Sequence, residues 1–357
     1  MTSSATMNVT ADAIFTTGEY EYPENYLTDL EIISPYTSIF KPIVYCLTFV
    51  FGLIGNILVM IVLVGCKKLS TMTDIYLLNM AISDMVFVLS LPFLAYTATD
   101  QWVFGDFMCK LLSALYFTGF YSGIFFIMII SVDRYMAVVH VVFSLKVRTV
   151  HWGLIISIII WLISFFFSIP SFITHQVYHS NYYFCVPIYP SDSIMNWKLF
   201  SYININIFGL IIPLCTLTYC YSQIIMNLRR NKTKQKKYAI RLILTVVIVF
   251  YLFWGPYNIL LFLHILEMFG VLKDRDVSHL NLALEITQIL TLVHCCLNPI
   301  IYTFAGEKFK KYLYIILRKP FRAIKTSRIR QSFQSSFTDR TSTSKESRTC
   351  SVTDEFV

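Results

Sequence analysis

The sequence predicts an all-α membrane protein: a bundle of seven transmembrane helices with a short amphipathic eighth helix. Three observations predict it. Seven stretches, near 38–65, 73–98, 106–139, 150–172, 197–229, 234–266 and 280–304, are each apolar over the roughly 20 residues needed to cross a hydrocarbon core about 30 Å thick. Only 14% of the 357 residues are charged, where a soluble domain carries about 25%. Finally, lysine and arginine collect in alternate connections, as the positive-inside bias requires. Open strands would strand backbone donors in lipid, so the crossings are helices.

The first element, residues 1–37, is an acidic arm. Residues 1–40 hold Asp12, Glu19, Glu21, Glu24, Asp29 and Glu31 and no base. The arm lacks a basic segment followed by an apolar core, so we expect no cleaved leader and expect the first helix to direct insertion. Basic residues gather instead at Lys67 and Lys68, at Lys146 and Arg148, and along Arg229, Arg230, Lys232, Lys234, Lys236, Lys237 and Arg241. This pattern puts the N-terminus outside the cell and the C-terminus in the cytoplasm, at the plasma membrane. The net charge of +8 is then a topology signal rather than a mark of nucleic-acid binding.

The membrane domain, 38–305, carries the chemistry. Asn56, Asp84 and Asn298 are the polar residues nearest mid-membrane, and Asp84 needs partners or a proton there. We expect these three to join in a hydrated cluster with His294, acting as a fixed network, a switch, or both. Pro299 should bend the seventh helix. Asp133-Arg134-Tyr135 ends the third helix, where Asp133 can partly neutralise Arg134. An ionic latch from Arg134 to helix six has no carboxylate between 232 and 241, which leaves Asp133 and Asp74. In helix six, Pro256 lies near Trp254, with Phe250 one turn below it. Tyr221 and Tyr302 would bring two hydroxyls near Arg134.

Of nine cysteines, only Cys109 and Cys185 fall in the oxidising compartment. We expect them to pair, closing a loop worth about 4 kcal/mol in the chain-entropy account; two free thiols are the alternative. Asn8-Val9-Thr10 is a glycosylation sequon on the outer side. The arm interleaves Glu19, Tyr20, Glu21, Tyr22, Glu24 and Tyr26, a pattern suited to tyrosine sulfation and to steering a basic partner. Residues 306–318 alternate cations with apolar residues and read as a helix on the inner leaflet. Residues 319–357 form a Ser/Thr-rich cytoplasmic tail suited to kinases.

Four blocks resemble the rhodopsin-like G-protein-coupled receptors, and within them the CC-chemokine receptors: Thr73 to Asp84, Gln101 to Gly105, Asp133 to His140, and His294 to Pro299. The resemblance implies that the arm takes the globular core of a basic chemokine, while the bundle takes the ligand's amino terminus among Tyr45, Trp102, Tyr116, Tyr257, Glu285 and Gln288. Contacts around Tyr116, Trp254 and Gln288 would favour the active arrangement. An inner face around Arg134, Phe143, Tyr221 and Tyr302 would engage an inhibitory-class heterotrimeric G protein, with receptor kinases and arrestin at the tail.

The chain departs from that pattern in three ways. It has no cysteine in 1–45 or 260–290, so the family's second outer disulfide is missing. Gln288 stands where the family usually has a glutamate, and Glu285, nearly one turn outward, is a substitute. The eighth helix lacks the usual cysteine for acylation.

The alternatives are a decoy receptor that binds chemokine without signalling, or a seven-helix transporter. The intact Asp133-Arg134-Tyr135 argues against the first. The near absence of mid-membrane charge besides Asp84, with no lysine in 280–305, argues against the second. No nucleophile–base set and no metal-ligand cluster stands out, so neither an enzyme nor a cofactor is expected.

Overall fold

The structure is a computed structural model describing residues 35–66, 69–190, 193–230, 234–271 and 277–305; side chains at 35–38, 66, 228–230, 234–244, 246, 277–279 and 301–305 are outside that description. The acidic arm with Asn8 and residues 19–26, the inner-leaflet segment 306–318 and the tail all lie outside the described residues.

Seven helices are long and apolar enough to cross a membrane: Ile39–Gly65, Met72–Thr97, Gly105–Val139, Val150–Thr174, Ile194–Asn227, Val247–Met268 and Leu280–Ile300. They fall within the expected stretches to within a few residues at most ends. The sixth runs unbroken as helix from Lys234 to Met268, matching the expected stretch 234–266. Helix three packs on helices two, four and five, and helix seven on helices one and six. Between them lies one aromatic-rich core, with Tyr76, Phe126 and Phe250 fully enclosed. Phe51, Leu162, Phe166 and Ile248 instead point outward and are exposed. Helices apolar on every side fit lipid rather than water.

Close approach and buried hydrogen bonds hold the helices together, because lipid supplies no hydrophobic drive between them. A Cβ at Gly119 in helix three would lie 2.8 Å from the Cβ of Phe87, so only glycine permits that approach. Beside it the Ser83 hydroxyl donates to the Gly119 carbonyl and pairs with Ser122 at 2.6 Å. Trp161 Nε1 of helix four donates to Asn79 Oδ1 of helix two at 2.9 Å.

Two prolines reshape helices in ways not read from the sequence. Helix two breaks after Val88 and resumes at Leu91–Thr97 with Pro92 in its first turn. Helix five passes through a π-helical turn, Ile207–Ile211, where Ile212 N–H bonds to the Ile207 carbonyl five residues back. Pro213 lacks an N–H, so the four-residue ladder fails at its approach and the chain takes the wider turn. Helix seven, where Pro299 was expected to cause a bend, continues as helix from Val277 to Ala305.

A two-stranded antiparallel hairpin covers one end of the bundle. Its strands are β1 (His175–His179) and β2 (Tyr183–Pro187), with Val177 opposite Cys185.

Candidate functional site

The hairpin is tied to the bundle by a disulfide and by hydrogen bonds. Cys185 is disulfide-bonded to Cys109 near the start of helix three, with Cα atoms 5.6 Å apart. Trp102 N donates to the Tyr183 carbonyl at 2.8 Å, and Val177 N to Asp106 Oδ1 at 3.0 Å. Beneath it lies a cavity of ≈ 340 Å³ whose lining includes Trp102, Tyr116, Tyr257 and Gln288. A volume in this range suits a small molecule or the end of a peptide.

Not all of the expected ligand contacts share this cavity. Tyr45 packs beside Tyr116 in the cluster around Phe87 and Leu292 instead of lining it. Trp102 touches the cavity, but its ring is buried against Phe104 and its Nε1 donates to the Gly105 carbonyl. Glu285 is held by Lys41 of helix one, Nζ to Oε1 at 2.9 Å, so its charge is already matched. Trp254 lies deeper, against Phe120 at 4.6 Å and Phe250 at 6.4 Å.

Phe93, Phe117, His175 and β2 residues from Tyr183 to Val186 also line the cavity, and sequence reasoning missed them. The available signal was Cys185, because bonding it to helix three must draw its neighbours over the bundle. His175 Nδ1 lies 2.9 Å from the Ser171 carbonyl and must donate to it, since a carbonyl only accepts. Burial depresses its pKa to about 4, so the ring is neutral near pH 7.

A second, smaller cavity of ≈ 20 Å³ lies mid-bundle among Asp84, Trp254, Thr291, His294 and Asn298. That is room for about one water. Asn298 Nδ2 donates to Asp84 Oδ2 at 2.9 Å. Asn298 Oδ1 and His294 Nε2 are buried with no partner among the described residues. Asn56 does not join this cluster as expected. Its amide donates to the Gly52 and Cys295 carbonyls, clasping helix one to helix seven. Asn258 Nδ2 bonds to the Trp254 carbonyl, and a Cβ added to Gly209 in the π-helical turn would sit 3.4 Å from its Oδ1.

At the other end the hydrogen bonds of Asp133 go to Arg148 and Thr73 and not to the adjacent Arg134. Arg148 Nε meets Asp133 Oδ1 at 2.7 Å, and its Nη2 meets Oδ2 at 3.1 Å. Thr73 of helix two donates to the same carboxylate at 2.7 Å. Asp74 closes a capping box with Thr71. Arg134 makes no hydrogen bond or ion pair among the described residues. The Tyr221 hydroxyl pairs with Ser131 at 3.1 Å, and the side chain of Tyr302 lies outside the described residues. Tyr135 reaches His140 Nε2 at 3.0 Å. Phe143 is exposed on the short helix Val141–Val147.

The molecule thus has a covered cavity at one end, a polar and aromatic column through its middle, and an exposed cation-bearing face at the other. None of these arrangements performs bond-making chemistry, while together they can couple occupancy at one end to shape at the other. Residues 55–302, well over half of the chain, match the family model of the 7 transmembrane receptor (rhodopsin family), whose members are receptors and not enzymes. This chain belongs to that family: it is a multi-pass membrane receptor that takes an extracellular ligand and acts through a heterotrimeric G protein.

Proposed function

We propose that this receptor binds basic CC chemokines and activates an inhibitory-class heterotrimeric G protein. The observation that carries the reading is the set of four sequence blocks, Thr73–Asp84, Gln101–Gly105, Asp133–His140 and His294–Pro299. Among those receptors the chain resembles CC chemokine receptor type 8 through Asp100 to Gly105, Leu145 to Thr149 and Gly306 to Lys311. Departures between those blocks suit a diverged copy, such as a virus-encoded homologue.

In this reading the hairpin end faces outward. The acidic arm, with its tyrosines sulfated, attracts the chemokine and mainly raises its on-rate. The ligand's amino terminus enters the cavity beside Tyr116, Tyr257 and Gln288. A thousandfold shift toward the active arrangement needs about 4 kcal/mol of differential affinity, and contacts transmitted to Trp254 supply it. Receptor kinases and arrestin act on the tail, and Asn8 carries a glycan.

The test is a chemokine panel on cells expressing the chain, with binding and nucleotide exchange read in parallel. Salt-sensitive binding together with exchange is the expected result. Binding without exchange would identify a decoy receptor, and binding of no chemokine would overturn the reading.

A further inference from the structure

Asp133 is 4% exposed, and a buried carboxylate needs its lone pairs satisfied. The atoms that satisfy it come from the wrong arginine. Arg148 lies just past the short helix Val141–Val147, as its C-terminal cap. Its guanidinium forks onto both Asp133 oxygens, and Nη2 also reaches Thr73 Oγ1 at 3.2 Å. Thr73 donates to Oδ2 as well. A planar fork on a carboxylate is among the strongest pairings available to a side chain. With Oδ1 holding one donor and Oδ2 two, little capacity remains for Arg134 next door.

This arrangement has two consequences. The short helix is fastened to the bundle through its C-terminal cap, with Ser144 turned inward and Val142, Phe143 and Leu145 exposed. Arg134 is also left without an ion pair among the described residues. The nearest other candidate, Asp74, is committed to the start of helix two by its bond from the Thr71 N–H at 3.1 Å.

We propose that Arg148 is a positioning residue for G-protein activation: by occupying Asp133 it keeps Arg134 unclamped and holds the short helix in place. Losing Arg148 hands Asp133 to Arg134, which tightens that end of helix three and raises the cost of engaging the G protein. The inference rests on the receptor's coupling to a G protein, and it needs no particular chemokine.

The test compares the parent chain, Arg148→Gln, Arg148→Lys, Asp133→Asn and the Asp133→Asn/Arg148→Gln double variant. Each is purified and reconstituted with an inhibitory-class heterotrimer. Nucleotide exchange is normalised to receptor amount, with and without chemokine. Arg148→Gln should lower exchange about five- to tenfold, the range of a modest coupling energy. Asp133→Asn should raise exchange, and adding Arg148→Gln to it should lower it no further, because no carboxylate remains to be handed over. Loss of a merely structural tether would make Asp133→Asn lower exchange just as Arg148→Gln does, because either change cuts the same pair, and that result overturns the proposal. So does parent-like exchange by Arg148→Gln. If that variant is not recovered folded, Arg148→Lys carries the test: it keeps the charge but loses the fork, so an intermediate drop is expected and no drop is fatal. Exchange absent from the parent chain defeats the coupling on which the inference depends, and the inference with it.

Discussion

The two ends of the bundle are fastened by different kinds of bond. At the hairpin end a covalent link, backbone-anchored hydrogen bonds and edge-to-face rings around Phe104 fix the lid over its cavity. At the Arg134 end, one guanidinium and one hydroxyl share a single carboxylate. A disulfide does not rearrange on a signalling timescale, whereas an ion pair at a half-open surface can exchange partners. The first end can hold a shape for a ligand, and the second can change shape in response.

The comparison can be broken in order of expected effect. Cys109→Ser should be the most damaging, costing about 4 kcal/mol in the loop-entropy account. Surface display and ligand binding should both collapse, and a folded, binding-competent variant would show that the hydrogen bonds alone hold the lid. Gly119→Ala drives a methyl to within 2.9 Å of the Phe87 backbone nitrogen. It should cost about 1–3 kcal/mol through helix displacement, seen as a lower thermal midpoint in detergent.

Asp84→Ala removes the acceptor of the Asn298 amide, and leaving a buried donor unpaired costs about 1–3 kcal/mol. Because that pair lies between the two ends, ligand affinity should change less than exchange does. An equal loss in both would place Asp84 with the rigid half. The smallest effect should come from His175. Its folded-state pKa of about 4 lies below the ordinary 6.5. Between those values the unfolded chain binds more protons, so stability falls as pH drops through the window. His175→Gln should flatten the fall in thermal midpoint between pH 7 and pH 5. An unchanged slope would mean that His175 is hydrated in the lid.

The fold was largely legible because membrane insertion imposes it one segment at a time. Each crossing must be apolar over its whole length, and Phe51 or Leu162 reads the same whether or not its neighbours are known. Compartment chemistry likewise exposed the Cys109–Cys185 pair. The site was less legible because its contacts depend on positions far apart in the chain. Lys41 meets Glu285 across 244 residues, and no local pattern announces it. Arg148 outcompetes the adjacent Arg134 for Asp133 because neighbouring residues on a helix point away from one another. The π-helical turn had a local cause in Pro213, but the size of the adjustment depends on what helix five packs against.

One feature of helix six bears on how far a small event can travel. The rod is continuous from Lys234 to Met268 with Pro256 inside it. Measured from Pro256, its N-terminal arm is about 33 Å long at 1.5 Å per residue. A pivot of ten degrees there would sweep the tip through about 6 Å. Mechanical advantage is thus built into the length of one uninterrupted helix, and a ring displaced by a fraction of an ångström beside Trp254 has a long pointer to move.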